Sequence, residues 1–448
     1  EESGRLRMKI LFISLGCDKN LVDSEVMLGM LTSKGYEITD DENEADVVVV
    51  NTCCFIGDAK EESIHNILEM AELRKAGDIK ALIVTGCLAQ RYKEEVQTEI
   101  PEVDAIIGTT AIDAIVETLE DVLAGQGHNH IEDINRTPVY DKSRIVTTGG
   151  HYAYLKIAEG CDKRCSYCII PKVRGNYRSI PMESLLAEAR KLVEFGAKEL
   201  ILVAQETTLY GKDLYGEKSL PRLLHELCKI DGLYWIRILY CYPEEITDEL
   251  IETIRTEEKV CHYLDIPIQH ASDNILKRMG RRTNQAELRN MIARLRERIP
   301  DICLRTTLIT GFPGETQEDH EELMAFVDEM EFDRLGVFTY SAEEDTPAAE
   351  FEDQIEEEIK KDRQAEIMEL QQEIAFEKAE NAVGRTVLAM IEGRLPNENA
   401  YAARTYMDAP NVDGLVFVQT SRELMTGDFV KVKITGSYEY DLIGEIVE

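Results

Sequence analysis

The chain has 448 residues, 44% of them hydrophobic, which is enough for two to four domains with cores of ordinary composition. Its 50 lysines and arginines stand against 86 aspartates and glutamates, a formal net charge of −36. Such a surface repels phosphate backbones and draws basic proteins, which tilts against nucleic acid as the partner while leaving a local basic groove open.

No apolar run is long enough to span a bilayer, and Glu-Glu-Ser-Gly-Arg-Leu-Arg at the start is no signal peptide. Met8 is read as the native start, with the residues ahead of it an appended leader. Eleven cysteines without a secretory signal point to metal ligation in a reducing cytoplasm rather than to disulfides.

From residue 8 to residue 124, strand-like and helix-like runs alternate. The strands are Lys9–Leu15, Ala45–Asn51, Ala81–Thr85 and Ala105–Ile107, with helices over Leu21–Lys34 and Asp58–Arg74. Continuous Val/Ile runs between amphipathic helices predict a parallel sheet covered on both faces, a small doubly wound α/β domain. Cys17, Cys53 and Cys87 each lie just past the end of one strand. In open parallel sheets ligands bind outside the carboxyl ends of the strands, so three strands deliver one thiol each to the same edge. Unrelated core cysteines are the alternative. Cys54 is assigned to packing, because neighbours on an extended backbone point apart.

Residues 125–150 lack periodicity and read as a linker. From 151 to 350 strand–helix alternation returns six times, with strands at Tyr154–Ala158, Glu199–Ala204, Trp235–Tyr240, Tyr263–Ile268, Cys303–Thr310 and Arg334–Tyr340. This is the pattern of a partial (β/α)6 TIM-like barrel. Cys161, Cys165 and Cys168 follow the first of these strands, at the face where barrel active sites lie.

Three thiolates so close in sequence can converge on one soft metal centre. A structural zinc site takes four ligands, and a cubane cluster normally takes four cysteines. Three would leave one iron open to a substrate or cofactor. A loop zinc site or three packed cysteines remain the alternatives. Tyr167, Gln205, Glu206, Gly311 and Gly314 are candidate cofactor contacts by position. The two glycines of Gly311-Phe312-Pro313-Gly314 serve equally well as a plain turn. His270 reads as a polar rim residue, and Cys228, Cys241, Cys261 and Cys303 as core.

Residues 351–380 form a charged helix with Ile355, Ile359, Ile367, Leu370 and Ile374 at helical spacing. Residues 381–448 change to short alternating strands, Thr386–Ile391, Gly414–Val418, Asp428–Ile434 and Leu442–Val447, which predict a small antiparallel barrel. With eleven acidic against six basic residues over 380–448, this barrel lacks the electrostatic footprint of a nucleic-acid binder.

Taken together and in this order, these motifs resemble the methylthiotransferase family of radical S-adenosylmethionine (SAM) enzymes from Met8 onward. The resemblance implies an N-terminal domain with a cluster, a radical SAM barrel and a C-terminal TRAM domain. It implies two 4Fe–4S clusters, at Cys161/Cys165/Cys168 and at Cys17/Cys53/Cys87, with SAM as the second cofactor. The resemblance further implies a chemistry in which an electron passed to SAM would yield a 5′-deoxyadenosyl radical able to take a hydrogen from an unactivated C–H. By the same resemblance, a sulfur species methylated by a second SAM at the other open iron would be transferred to the carbon radical.

Ser14-Leu15-Gly16-Cys17-Asp18-Lys19-Asn20-Leu21-Val22-Asp23-Ser24-Glu25, Tyr263 through His270, Arg305 through Thr316 and Asp441 through Glu445 look like the branch that modifies a ribosomal protein. That branch implies the β-carbon of an aspartate in small-subunit ribosomal protein twelve as target and a flavodoxin-like or similar electron donor. The tRNA-modifying branch typically has a different run after the first cysteine and a more basic TRAM domain. Cys54, Cys241 and Asp345 depart from the family pattern and bear on packing beside the sites. An adenosine of tRNA as substrate and a non-catalytic iron–sulfur protein are the other readings.

Overall fold

The computed structural model describes residues 8–448, and the leader assigned ahead of Met8 lies outside the described residues. The N-terminal sheet holds β1 (Lys9–Ser14), β2 (Glu37–Thr39), β3 (Val47–Thr52), β4 (Ala81–Gly86) and β5 (Ala105–Ile107). All its pairings are parallel, in the order β2-β1-β3-β4-β5. Every residue of β3 and β4 is buried, as a sheet covered by helices on both faces requires. Strand β2 was not expected: at three residues, mostly exposed, it carries no hydrophobic signal.

The second sheet begins with β6 (Tyr152–Lys156). Next come the two-residue strands β7 (Ala158–Glu159) and β8 (Arg178–Ser179), which pair with each other and close off the loop carrying Cys161, Cys165 and Cys168. The sheet continues with β9 (Glu199–Val203), β10 (Trp235–Ile238), β11 (Val260–Asp265), β12 (Cys303–Thr310) and β13 (Arg334–Thr339). The order β6-β9-β10-β11-β12-β13 is all parallel and sequential, and among the described residues its two ends do not pair, so the (β/α)6 barrel is open. Local signals set its helices. Asn284 caps the helix Gln285–Arg298, and Thr316 with Asp319 forms a capping box on Gln317–Met330.

The helix Glu357–Asn381 lays Arg363, Ile367, Gln371 and Ile374 against the barrel, leaving Ile359 exposed. It leads to β14 (Thr386–Arg394), β15 (Ala400–Arg404), β16 (Val416–Gln419), β17 (Phe429–Tyr438) and β18 (Asp441–Ile446), a closed barrel in the order β14-β15-β16-β18-β17. Two details differ from expectation. Strand β15, Ala-Tyr-Ala-Ala-Arg, lacks the β-branched residues that mark a strand, and β16 pairs with β18 in parallel. The small barrel meets the starts of the large barrel's strands through buried and half-buried ion pairs: Arg404 with Glu199, Arg305 with Asp413, and Arg334 with Asp408.

The stretch 125–150 has no helix or ladder strand, yet it is fastened down. His130 bridges to Ile107 on the edge strand, and Arg144 pairs with the buried Glu25 of the N-terminal unit and Glu188 of the barrel.

Candidate functional site: two facing sets of three thiols

Strand order 2-1-3-4-5 reverses direction between β1 and β3, and that switch point is where an open α/β sheet receives a ligand. Cys17 follows β1 at the N-terminus of the helix Asp18–Ser33, and Cys53 follows β3. Cys87 follows β4 as the first residue of the helix Cys87–Arg91. Glycines allow the approach. Gly16 has φ +86°, and a Cβ on it would lie 2.7 Å from the Cβ of Cys53. Gly86 has φ +93°, and a Cβ there would lie 2.3 Å from the Thr52 carbonyl. The backbone of Cys53 is clamped by Ser63, whose Oγ both accepts from its N–H and donates to its carbonyl, each at 2.9 Å. Cys54 turns into the apolar core and is fully buried.

The second set lies in the loop between β7 and β8. Gly160 has φ +81°, and a Cβ on it would sit 2.1 Å from the Asn176 carbonyl. The Cys161 N–H donates to the Gly175 carbonyl (3.1 Å), and the Cys168 N–H to that of Cys165 (3.0 Å). The Ser166 N–H donates to the Met279 carbonyl at 2.8 Å. Burial pushes the Cys161 and Cys53 thiols up to about 11 each, so a cation is needed before they persist as thiolates.

Around Cys161 several polar groups face the mouth of the barrel. Glu206 is fully buried, its Oε2 has no partner among the described residues, and burial lifts its carboxyl to about 8 against the nearby Lys163 cation. Lys163 spans Glu206, Glu244 and Glu245 at 3.9, 3.3 and 2.6 Å. Among the described residues the buried Tyr177 hydroxyl has no hydrogen-bond partner, and the Tyr242 hydroxyl lies 3.8 Å from the Cys161 sulfur. Orphaned buried polar atoms beside an incomplete thiol set suit a polar ligand bound there.

Gln205 accepts from the Gly160 N–H at 2.9 Å and so supports the cysteine loop. Tyr167 packs edge-on to Phe312. Gly311 and Gly314, both at positive φ, face Lys360 and the Arg278–Asp353 pair respectively, which favours the turn reading. His270 is not on the rim. It is fully buried, accepts from the Ser272 N–H at Nδ1 and meets Glu315 at 2.7 Å, and Arg363 also holds that carboxylate. Cys241, Cys261 and Cys303 are buried, and Cys228 is half-buried against the core.

Sequence reasoning missed what joins the two sets. Arg174, 2% exposed, donates from Nε to the Cys87 sulfur at 3.3 Å, from Nη2 to Asn20 at 3.0 Å and from Nη1 to Asp23 at 2.8 Å. Lys156 bonds the same Asp23 and also Glu159, and Gln205 touches Glu159 at 3.4 Å. A buried polar bridge thus runs from Cys87 to the loop of Cys161. Tyr240 adds a second contact across the gap, donating to Asp18 at 3.0 Å while Lys19 sits over its ring.

Three family models match: Uncharacterized protein family UPF0004 over residues 9–108, Radical SAM superfamily over 155–327 and TRAM domain over 383–447. A ribosomal protein uS12 methylthiotransferase RimO from Lachnoclostridium phytofermentans is 65% identical over 437 residues, covering 98% of this chain and 99% of the relative. The chain belongs to the RimO methylthiotransferase family. A RimO from Geobacter sulfurreducens is 51% identical over 98% of both chains.

The radical SAM methyltransferase TsrM from Kitasatospora setae, solved with cobalamin and a [4Fe-4S] cluster, superposes with a TM-score of 0.56. It shares 13% identity over 77% of each chain, a likeness of fold alone. Membership makes the chain a radical SAM methylthiotransferase, and the superfamily implies a 4Fe–4S cluster and SAM. Among the described residues no helix is long and apolar enough to cross a membrane.

Proposed function

We propose that this chain transfers a methylthio group to the β-carbon of an aspartate in ribosomal protein uS12, in the cytoplasm. Cys161, Cys165 and Cys168 would hold one 4Fe–4S cluster and Cys17, Cys53 and Cys87 a second, each leaving one iron without a protein ligand. The observation that carries the reading is the facing pair of three-thiol sets joined by the Arg174–Asp23–Glu159 bridge. When bound, the clusters and SAM supply the electron, the hydrogen-abstracting radical and the sulfur that side chains cannot.

The protein's part is placement. Gly16, Gly86 and Gly160 let backbones close to contact so that the thiols converge. Glu206, Tyr177 and Tyr242 ring the Cys161 side and offer polar atoms to the methionine end of SAM. Gln205 holds the loop, and Tyr167 backs it. The division into 8–124, 151–350 and 381–448, connected by 125–150 and 351–380, assigns one cluster to each of the first two units. A strongly acidic exterior suits a ribosomal protein, whose RNA-binding surface is basic, and a flavodoxin-like protein is the proposed electron donor.

The test is an anaerobic reaction of cluster-reconstituted protein with SAM and a reductant. It is offered uS12 and an isopentenyl-adenosine tRNA in parallel, and each is read by mass spectrometry. A methylthio adduct on the uS12 aspartate alone is expected. An adduct on tRNA alone overturns the substrate, and SAM cleavage with neither adduct overturns both candidates while leaving the radical chemistry standing.

A further inference from the structure

Far from the cysteines in sequence, residues 121–130 end one helix and return along the edge strand β5. The return is rigid. The Gln126 N–H donates to the Asp121 carbonyl at 2.8 Å, the His130 N–H to that of Ile106 at 3.0 Å, and the Gly108 N–H to that of His130 at 2.8 Å. Asn129, between the two histidines, accepts from the Ile106 N–H and exchanges hydrogen bonds with Gln97. His128 and His130 are thereby held with ring centroids 4.9 Å apart.

The proton placement is informative. His128 Nδ1 lies 2.9 Å from the Gln126 carbonyl, which can only accept, so Nδ1 carries the hydrogen. His128 Nε2 lies 3.5 Å from the Asp121 carboxylate. His130 Nε2 is buried and has no partner among the described residues. One ligand atom each from Asp121, His128 and His130 lies within 4.8 Å of the others.

We infer that Asp121, His128 and His130 bind a divalent transition cation, for which zinc has the fitting chemistry. Two imidazoles and one carboxylate are a borderline ligand set that suits zinc with a water in the fourth position and suits magnesium poorly. The Gln126 carbonyl fixes the His128 ring as a metal's outer partner does. The ion would fasten the 125–130 return over the open edge at β5, the kind of edge that proteins cover. Neither cysteine trio takes part, so the site stands or falls independently of the proposed reaction.

The test titrates zinc chloride calorimetrically into the cluster-loaded full chain, anaerobically and with excess magnesium present. Parallel titrations use the Asp121→Asn and the His128→Gln/His130→Gln variants, whose six cluster cysteines remain filled by iron. The wild type is expected to take one zinc equivalent about tenfold or more tighter than either variant. Zinc is also expected to slow amide exchange at Ile106 and Gly108 in the wild type only. Equal zinc affinity in all three proteins, or no zinc uptake by the wild type, overturns the inference.

Discussion

Replacing Arg174 with alanine tests the bridge between the two thiol sets most directly. The guanidinium shares a buried cluster with Lys156, Asp23 and Glu159, two cations against two anions, so the cluster is neutral as built. Without Arg174 one buried negative charge goes unpaired, and Asp23, Asn20 and Cys87 each lose a donor. Removing one partner of a buried ion pair costs about 3–5 kcal/mol, whereas an exposed pair is worth about 1 kcal/mol or less.

A chain of several units does not unfold in two states, so the cost is read on the transition that reports the N-terminal unit. With a urea slope of about 3 kcal/mol/M, that midpoint falls by about 1 M or more in Arg174→Ala. Adding Asp23→Asn to the variant removes the unpaired charge and recovers part of the loss. A midpoint within about 0.3 M of the wild type, or no recovery in the double variant, would refute the claim that the bridge is a balanced buried network.

Asp265 is buried, which lifts its carboxyl to about 6 despite help from Arg305 and the Tyr240 N–H. Its raised value means that the folded state holds the proton more tightly. The contribution is complete below about pH 4 and is lost as the pH rises to about 6. Asp265→Asn is therefore expected to be more stable than the wild type at pH 7 by on the order of 3 kcal/mol and to converge with it at low pH, as thermal melts across that range would show. Cys54→Ala should keep about eight irons per chain after reconstitution while Cys53→Ala falls to about four; iron analysis giving the reverse would exchange their roles. Gly160→Ala drives a methyl into the Asn176 carbonyl at a left-handed position. It is expected to empty the Cys161 set while the Cys17 set keeps its iron, which the iron count and the absorbance of the two single-cluster forms resolve.

Much of this architecture is legible in the sequence because its signals are periodic. The Val/Ile runs of β3 and β4 and the six barrel strands announce themselves, and cysteines at strand ends can be placed once the strands are known. What escaped was short, polar or paired at long range. Strand β2 is three exposed-to-intermediate residues, and β15 is alanine-rich, so neither carries the pattern that burial writes into a strand. The interior place of His270 depends on Glu315, 45 residues on, and no local pattern records that partner. Arg174 sits in an irregular turn, and its partners come from residues 20, 23, 87 and 159. A lone arginine in a loop reads as a surface charge until the fold brings two acids and a thiol to it.

The use of charge inside the molecule also explains the exterior. Among the described residues nine lysines and arginines and ten aspartates and glutamates are buried, so the interior nearly cancels and the acidic excess lies on the surface. Buried pairs add little net stability over apolar packing, but each tolerates one relative placement of its partners. They occur where the units must be aligned: Arg174 and Lys156 with Asp23 between the thiol sets, and Arg404 and Arg237 on Glu199 at the opposite end of the barrel. Apolar surfaces could slide there by a residue at small cost, whereas a fork of charge-assisted bonds cannot. The same residue types therefore do two separate jobs, with paired charges fixing the distance between the thiol sets and unpaired acids outside setting which partners approach.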